Sequence, residues 1–305
     1  MSALLEPVVQ FYRNALTPVQ PFSEWVGTPI SMLDLGAAFR LCLVLRQVRE
    51  ALHARHLQEA AKSGKASVAK VESRSFVREA ATTLLVVYGG EAVMAPYLGI
   101  PPSFMVSGVV PLLYIAMQAA IERLPTVHSM SLTSELPLSF FDGITRAYLL
   151  CNLIPPTVTA NSSTALATSP WTLLLTSLVT ANAGFFFTNM FSFLQPHALS
   201  LSTPPELLPY GWTTTDLWCA PLITAVFATL THAQPFWGSL HAVLFGWLGA
   251  ASQDAEGFIK VAPVDAEYAR AFCAVLLAGF FSTRTVKNFG GLGAIAPVEK
   301  RIKVQ

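Results

Sequence analysis

Charged residues are scarce in this chain of 305 residues: they make up 12% of it, whereas hydrophobic residues make up 53%. An ordinary soluble domain has about 25% charged residues, so this surface is too apolar to be kept in water. The apolar residues form continuous blocks of roughly the 17 to 25 residues with which a helix crosses a bilayer. Polar residues do not alternate with apolar ones along these blocks, which argues against a membrane β-barrel. The sequence therefore predicts an all-α membrane protein with a single transmembrane domain over 1–305.

Signatures of catalysis and of nucleic-acid binding are also missing. The chain has no nucleophile elbow, phosphate-binding glycine loop, HExxH sequence or CxxC pair, and its six histidines are scattered. The net charge is +1, and no basic stripe is interleaved with aromatics, so nucleic acid is not an expected partner. The four cysteines lie in or beside apolar blocks and are expected to be small core residues. We therefore expect no enzyme activity, no catalytic residue, no metal and no organic cofactor.

Seven apolar blocks are predicted to span the bilayer as helices. Their approximate bounds are 29–44, 76–97, 104–121, 136–154, 171–194, 217–231 and 268–281. An eighth block, at 236–251, is rather short, rich in glycine and only a few residues after the sixth, so it could span or be a re-entrant or interfacial segment. Residues 1–28, which mix charges with apolar side chains, are expected to form an interfacial segment with a short helix.

Positive charge predicts the orientation of these spans. Basic residues outnumber acidic ones in the loop 47–74, which is therefore predicted to be cytoplasmic. The tail 287–305 is basic too, and a cytoplasmic tail with a lumenal N-terminus requires an odd number of spans. Parity thus selects seven, and it places 236–251 on the lumenal side with the rest of the segment 232–266. One segment does not fit the charge rule, because the loop 195–216 should be cytoplasmic and has no Lys or Arg.

The loop after the fourth span carries no charge and holds the sequon Asn161-Ser162-Ser163. This loop is predicted to be lumenal, the side on which a glycan can be added. Asn161 is therefore a candidate for N-glycosylation.

Ionisable side chains inside the predicted spans are Asp34, Arg40, Glu91, Asp142 and Arg146. Each costs at least about 2.5 to 3.5 kcal/mol to insert, so each should face a partner, a cavity or the interface. Arg40 and Arg78 lie near helix ends and are expected to snorkel. Asp142 and Arg146 are four residues apart and could pair on one helix face. Alternatively, Arg146 could offer a fixed charge to an anionic lipid head group or to the edge of an ion path.

Glycines lie in the middle of two spans, Gly89 and Gly90 in the second and Gly184 in the fifth. Small residues let helices pack closely, which is one explanation. The other is that opened helices expose carbonyl oxygens that coordinate a cation. The second and fifth spans hold equivalent positions if the chain is two three-span units followed by a final helix, and such units are inverted relative to each other.

Three segments resemble the trimeric intracellular cation (TRIC) channel family, within a stretch of about 29–289. YGGEAVMAPYLGIPPSF at 88–104 looks like the second helix of that family, with a glycine cluster before Leu-Gly-x-Pro-Pro. ELPLSFFDGITRAYLL is similar to the fourth helix, and TANAGFFFTNMFSFLQP, which contains Gly184 and Asn189, to the fifth. Animal members have a Lys and, four residues later, an Arg on the fourth helix for binding an inositol phospholipid. Arg146 and Leu150 stand at those places here.

The resemblance implies a homotrimer with one pore inside each subunit, surrounded by membrane lipids. It implies K⁺ flux across the endoplasmic reticulum or nuclear envelope that balances calcium movement. The second and fifth spans would line the pore, with Glu91, Asn182 and Asn189 as polar lining residues and a bound anionic lipid near Arg146.

Two other functions remain open at this point. One is a secondary transporter on the same inverted repeat, with Asp34, Glu91 or Asp142 as the coupling carboxylate. The other is a scaffold that kept the fold and does not conduct. The loss of the second basic residue at Leu150 favours this scaffold.

Overall fold

The computed structural model describes residues 2–20, 23–24, 27–63, 71–73, 75–247, 252–253 and 259–290, and over these residues the protein is helical, as the sequence predicts. The helices are α1 (Ser2–Ala15), α2 (Met32–Ser63), α3 (Phe76–Leu98), α4 (Ser103–Val106), α5 (Val109–Glu122), α6 (Leu132–Tyr148), α7 (Ile154–Thr159), α8 (Thr164–Ala167), α9 (Pro170–Met190), α10 (Thr215–Thr231), α11 (Pro235–Trp247) and α12 (Ala266–Phe289). A π-helical segment, Leu149–Leu153, joins α6 to α7, and short 3₁₀ turns occupy Pro205–Leu207 and Gly211–Thr213. Two strands of two residues each, β1 (Ser252–Gln253) and β2 (Ile259–Lys260), pair antiparallel.

Two helices, α9 and α12, are long and apolar enough to cross a membrane. The helices α5 and α10 are shorter and apolar. Large apolar side chains are exposed along the bundle, among them Val77, Leu112 and Trp171. This surface agrees with the membrane association that the composition predicts.

Contacts between helix ends define two opposite ends of the bundle. At the first, the Arg49 end, Arg49 of α2 pairs with Glu79 at the start of α3 and with Glu122 at the end of α5. Asp216 at the start of α10 pairs there with Arg284 near the end of α12. The loop after α9 also lies at this end, because it contacts the start of α3.

At the other end, the Gln234 end, the amide of Gln234 after α10 donates to the Ser169 carbonyl before α9 at 3.1 Å. The Val264 amide, just before α12, donates to Leu230 of α10 at 2.8 Å. Asn161, ahead of α9, donates to Leu98 at the end of α3. Helices α2, α3, α5, α6, α9, α10 and α12 therefore run alternately from one end to the other.

The core lies where α6 and the π-helical segment pack against α9, α10 and α12. Gly143 of α6 touches α12 directly, since a Cβ there would lie 2.6 Å from the Ala278 nitrogen. Leu150, Ile223 and Leu277 are fully buried in this core. Pro155 and Pro156 follow the π-helical segment and have no N–H to continue its hydrogen bonding, but proline is tolerated in the first turn of a helix. A new helix, α7, therefore begins there, and it extends the fourth apolar block to Thr159, beyond the predicted end at 154.

The N-terminal helix α1 exists as predicted, but one of its faces is buried in the bundle. Tyr12 is fully buried, and its hydroxyl donates to the Ile144 carbonyl of α6 at 2.7 Å. The guanidinium of Arg270 lies 4.4 Å from the centre of the Tyr12 ring. Arg13 pairs with Glu267 at the start of α12, so α1 is held at the Gln234 end.

The first predicted span is too short, because α2 continues past residue 44 to Ser63. The first part of the predicted loop 47–74 is therefore helical. The arginines in and next to this part bond to other helices of the bundle, which favours an ordered helix there. Arg46 donates to the Ile121 carbonyl and Arg49 pairs with two carboxylates, so both are buried within the bundle. Residues 64–70 and 74 of that loop lie outside the described residues, as do 291–305 of the tail.

The eighth apolar block forms α11, whose 13 residues extend over about 20 Å. The helix packs back on α10 at the Gln234 end, and His241, 1% exposed, has its Nδ1 2.8 Å from Nε2 of His232. The remaining residues of that block, 248–251, lie outside the described residues.

Candidate functional site

Helices α3 and α9 touch backbone to backbone at their glycines. A Cβ added to Gly184 would overlap the carbonyl group of Val86, and one added to Gly90 would lie 2.5 Å from the Thr180 Cα. A Cβ on Gly89 would lie 3.1 Å from the Gly184 Cα. Any larger side chain would force the two helices apart, so the contact requires glycine on both. We call this contact the glycine crossing.

Both helices remain continuous through the glycine crossing. Helical structure runs unbroken over Phe76–Leu98 and over Pro170–Met190. The carbonyl groups at the crossing therefore stay within helical backbone. Close packing, one of the two explanations that the sequence allows, is what these glycines provide here.

The predicted polar residues near the crossing divide into two groups. Asn182 and Asn189 lie on α9 on either side of Gly184; both are half-buried, and Asn182 donates to the Leu178 carbonyl of its own helix at 2.8 Å. Glu91 instead faces the loop after α3, where its carboxylate accepts from the amide of Ser103 at 2.5 Å and from its hydroxyl at 2.8 Å. Within the described part of the chain, no contact joins Glu91 to the two asparagines.

Arg146 of α6 reaches α9 one turn from Gly184. Its Nη1 donates to the Ala181 carbonyl at 3.0 Å, and the side chain is half-buried. Leu150, four residues later in the π-helical segment, is fully buried in the apolar core. The second position at which the resemblance leads one to expect a basic residue is therefore enclosed by protein.

Asp142 does not pair with Arg146, and Arg40 does not snorkel, so these two predictions are wrong. The Arg40 guanidinium donates to both Asp142 carboxylate oxygens at 2.9 Å and to Glu135 at 2.8 Å. Arg40 is 8% exposed. A buried guanidinium loses its hydration and requires counter-charges to compensate, and two carboxylates on α6 supply these counter-charges. The three side chains, the Arg40 cluster, carry a formal charge of −1.

Asp34 has a local partner. Its carboxylate accepts from the amide of Ser31 at 2.9 Å and from the Ser31 hydroxyl at 2.6 Å. These bonds fix the first turn of α2, where a negative charge is also favoured by the helix dipole. Asp34 therefore stabilises a helix start.

A second buried cluster at the Arg49 end was not predicted. Arg49, 7% exposed, pairs with Glu79 and Glu122, and Gln118 donates to Glu122 at 2.7 Å. Thr83 of α3 donates to Gln118 at 3.0 Å. Glu79 and Glu122 each lie near one end of an apolar block. This position is the one feature of the sequence that could have predicted their place in the cluster.

Arg78 also differs from prediction, because it bonds to protein instead of snorkelling. Its guanidinium donates to main-chain carbonyls of the loop that follows α9. The acceptors are Ser192 at 3.0 Å, Phe193 at 3.1 Å, Gln195 at 2.9 Å and His197 at 3.1 Å. Glu72 forms a salt bridge with the same guanidinium at 2.7 Å.

Asn161, the predicted glycan acceptor, uses its amide within the fold. Its Nδ2 donates to the Leu98 carbonyl at 2.7 Å, and its Oδ1 accepts from the Ser163 amide at 2.9 Å. The side chain is half-buried. A glycan on Nδ2 would replace one of its two hydrogens, so the bond to Leu98 would have to use the other.

No family model matches this chain, and no characterised protein or solved structure is significantly similar to it. The fold and the site define a helical bundle in which α9 and α12 are long and apolar enough to cross a membrane and α9 touches α3 through glycines.

Proposed function

We propose that this chain is a monovalent cation channel of the TRIC type. In this proposal α2, α3, α5, α6, α9, α10 and α12 cross the membrane, and α3 and α9 line the ion path. The glycine crossing is the observation that carries the proposal, because it brings together the two helices that would occupy equivalent positions in an inverted repeat.

The packing of the other helices supports two inverted units. The first unit would be α2, α3 and α5, and the second would be α6, α9 and α10. In the first unit α3 packs against α5, and in the second α9 packs against α10 in the same way. Likewise, α2 contacts α5 in the first unit, and the π-helical segment after α6 contacts α10 in the second. Helices α3 and α9 contact each other between the two units, where a pseudo-twofold axis would pass. The Arg49 end would then be cytoplasmic and the Gln234 end lumenal.

Conduction requires a movement at the glycine crossing. The backbones of Gly184 and Val86 leave no room between them for an ion, so α3 and α9 must separate or rotate there for K⁺ to pass. Asn182 and Asn189 on α9 would then supply polar oxygens to the ion. Arg146, which lies beside α9, would set the potential at the edge of the path or hold an anionic lipid.

One observation favours a proton-coupled transporter as a second candidate. The Arg40 cluster combines two carboxylates with one guanidinium, and one oxygen of Glu135 is buried with no hydrogen-bond partner. A proton bound there would neutralise the cluster. Asp34 and Glu91, by contrast, are each engaged by a neighbouring serine, which makes them poorer coupling groups.

Flux of K⁺ out of sealed liposomes separates the candidates. Purified protein reconstituted with K⁺ inside should release K⁺ rapidly and without saturation if it is a channel. A transporter should give slow, saturable, pH-dependent flux that Asp142→Asn abolishes. Protein that moves neither K⁺ nor protons would be a scaffold, and the proposal would fail.

The assembly and the membrane are part of the same proposal. We propose a homotrimer in the endoplasmic reticulum or nuclear envelope, with lipid around its apolar surface. The support is the resemblance of the three quoted segments together with exposed side chains such as Leu112 and Trp171.

A further inference from the structure

The loop after α9 turns its main-chain carbonyls toward one cation. These carbonyls belong to residues beyond Met190, where α9 ends, so they lie outside the hydrogen bonding of the helix and need donors from elsewhere. The Arg78 guanidinium supplies these donors to four residues of the loop, all within 3.1 Å. The stretch 195–216 has no Lys or Arg of its own, so the cation for this loop comes from α3.

Several further contacts fix the loop in this shape. Ser192 has a φ of 57°, a left-handed conformation that costs a non-glycine residue roughly 1 to 2 kcal/mol. The Ser192 hydroxyl bonds to Ser202, whose own hydroxyl donates to the Asn189 carbonyl at 2.7 Å. The Glu72 amide donates to the Pro196 carbonyl at 2.9 Å. The arrangement around Arg78 is thus held from both the α3 side and the α9 side.

Arg78 ties together the same two helices that meet at the glycine crossing. It lies 12 residues before Gly90 on α3, which is about 18 Å along the helix. Its partners lie just beyond the end of α9, also far from Gly184. Two adjoining cavities at the Arg49 end are both lined by Arg78, Glu72 and Phe193. The Arg78 side chain therefore borders both cavities and joins the start of α3 to the loop at the end of α9.

We propose that Arg78 is the latch of a cytoplasmic gate: while its guanidinium holds the 192–197 carbonyls, the ends of α3 and α9 stay together, and its release lets them separate. This inference rests on the proposed channel function. Arginine suits the role because it presents five donors in a fixed plane, whereas lysine has three on one nitrogen. Release of these ends would let α3 and α9 also separate at the glycine crossing, where their backbone contact blocks the path.

Distances between spin labels test the latch without any need for conduction. Val77 and Leu199 are 75% and 55% exposed on the two sides of Arg78, and the four native cysteines are buried, so Val77→Cys and Leu199→Cys can be labelled selectively. The full-length protein in nanodiscs should give one narrow distance. Arg78→Gln should give a longer and broader distribution, and Arg78→Lys an intermediate one. Arg55→Gln, which removes an exposed charge from the same end of the bundle, should match the wild type.

Single-channel recording gives the second measurement. Arg78→Gln should raise the open fraction about tenfold, which corresponds to the loss of about 1.4 kcal/mol of closed-state preference. Arg55→Gln should leave it unchanged.

The outcomes distinguish the latch from the channel. An unchanged label distance in Arg78→Gln overturns the latch, even if wild-type currents support the channel. A lengthened distance with no current from any variant supports the latch and overturns the channel function. If Arg78→Gln does not fold, Arg78→Lys decides by the same comparison, and a distance equal to that of the wild type overturns the latch.

Discussion

Arg40 of α2 and Asp142 of α6 form a two-pronged salt bridge, with both nitrogen–oxygen distances at 2.9 Å, across 102 positions of the chain. Glu135 joins the pair from the same helix as Asp142. In the proposed repeat, α2 and α6 are equivalent helices, so this bond links the first helix of one unit to the first helix of the other. It also explains why neither residue follows the predictions made from sequence spacing.

Removal of the Arg40 charge should destabilise the protein strongly. Arg40→Leu would leave the buried Glu135 and the half-buried Asp142 without a counter-charge; removal of one partner of a buried ion pair typically costs about 3 to 5 kcal/mol. Thermal unfolding in detergent should therefore occur at a clearly lower temperature. Arg13→Leu, which breaks an exposed pair with Glu267, is the matched control and should have little effect. Equal effects of the two substitutions would contradict a buried role for Arg40.

Substitution of glycine by alanine should be costly at the glycine crossing and harmless at an open site on α12. Gly184→Ala would place a methyl group against the Val86 carbonyl, and overpacking of this kind typically costs about 1 to 3 kcal/mol. Gly279 of α12 has no atom within 4 Å of an added Cβ, so Gly279→Ala should be neutral or slightly stabilising. Denaturation midpoints of both variants give the comparison. A tolerated Gly184→Ala would show that α3 and α9 do not touch there.

The helices and the glycine contact could be predicted from sequence, whereas the ion pairs could not. Continuous apolar blocks indicate helices whatever lies around them, and mid-span glycines indicate close packing. The partners of Arg40 and Arg78 depend on tertiary structure, because their acceptors lie about a hundred positions away along the chain, on α6 and in the loop after α9. The extension of α2 past residue 44 has the same origin, since buried pairing of Arg49 makes helix favourable in a stretch that reads as a basic loop.

The docking of α11 should weaken in acid. Burial, together with the neighbouring His232, lowers the pKa of His241, so the folded state favours the neutral ring. Stability from this contact is therefore present above the ordinary histidine pKa of about 6.5 and is lost as the pH falls through the lower folded value. A spin label at Val243→Cys should become more mobile between pH 7.5 and pH 5.5.

His241→Gln is the control for this pH effect. Glutamine can hydrogen-bond to His232 but does not titrate, so label mobility in this variant should change much less between the two pH values. A pH response that is equal in both proteins would assign the effect to another group.

Cysteine labelling in sealed microsomes tests the seven crossings. Leu57 on α2 and Met105 on α4 are 44% and 74% exposed and lie toward opposite ends of the bundle. A membrane-impermeant maleimide should label Leu57→Cys in intact vesicles, and it should label Met105→Cys only after permeabilisation. Labelling of both before permeabilisation would contradict the proposed orientation and the alternation of the helices across the membrane.

The most direct test of the central claim is a unitary current from the purified wild-type chain in a planar bilayer. We expect discrete K⁺-carrying steps whose reversal potential follows the K⁺ gradient, with Gly184→Ala changing the open fraction while Gly279→Ala does not. Protein that is folded, correctly oriented and silent over a wide range of voltages, in symmetric and asymmetric KCl, would contradict conduction along α3 and α9.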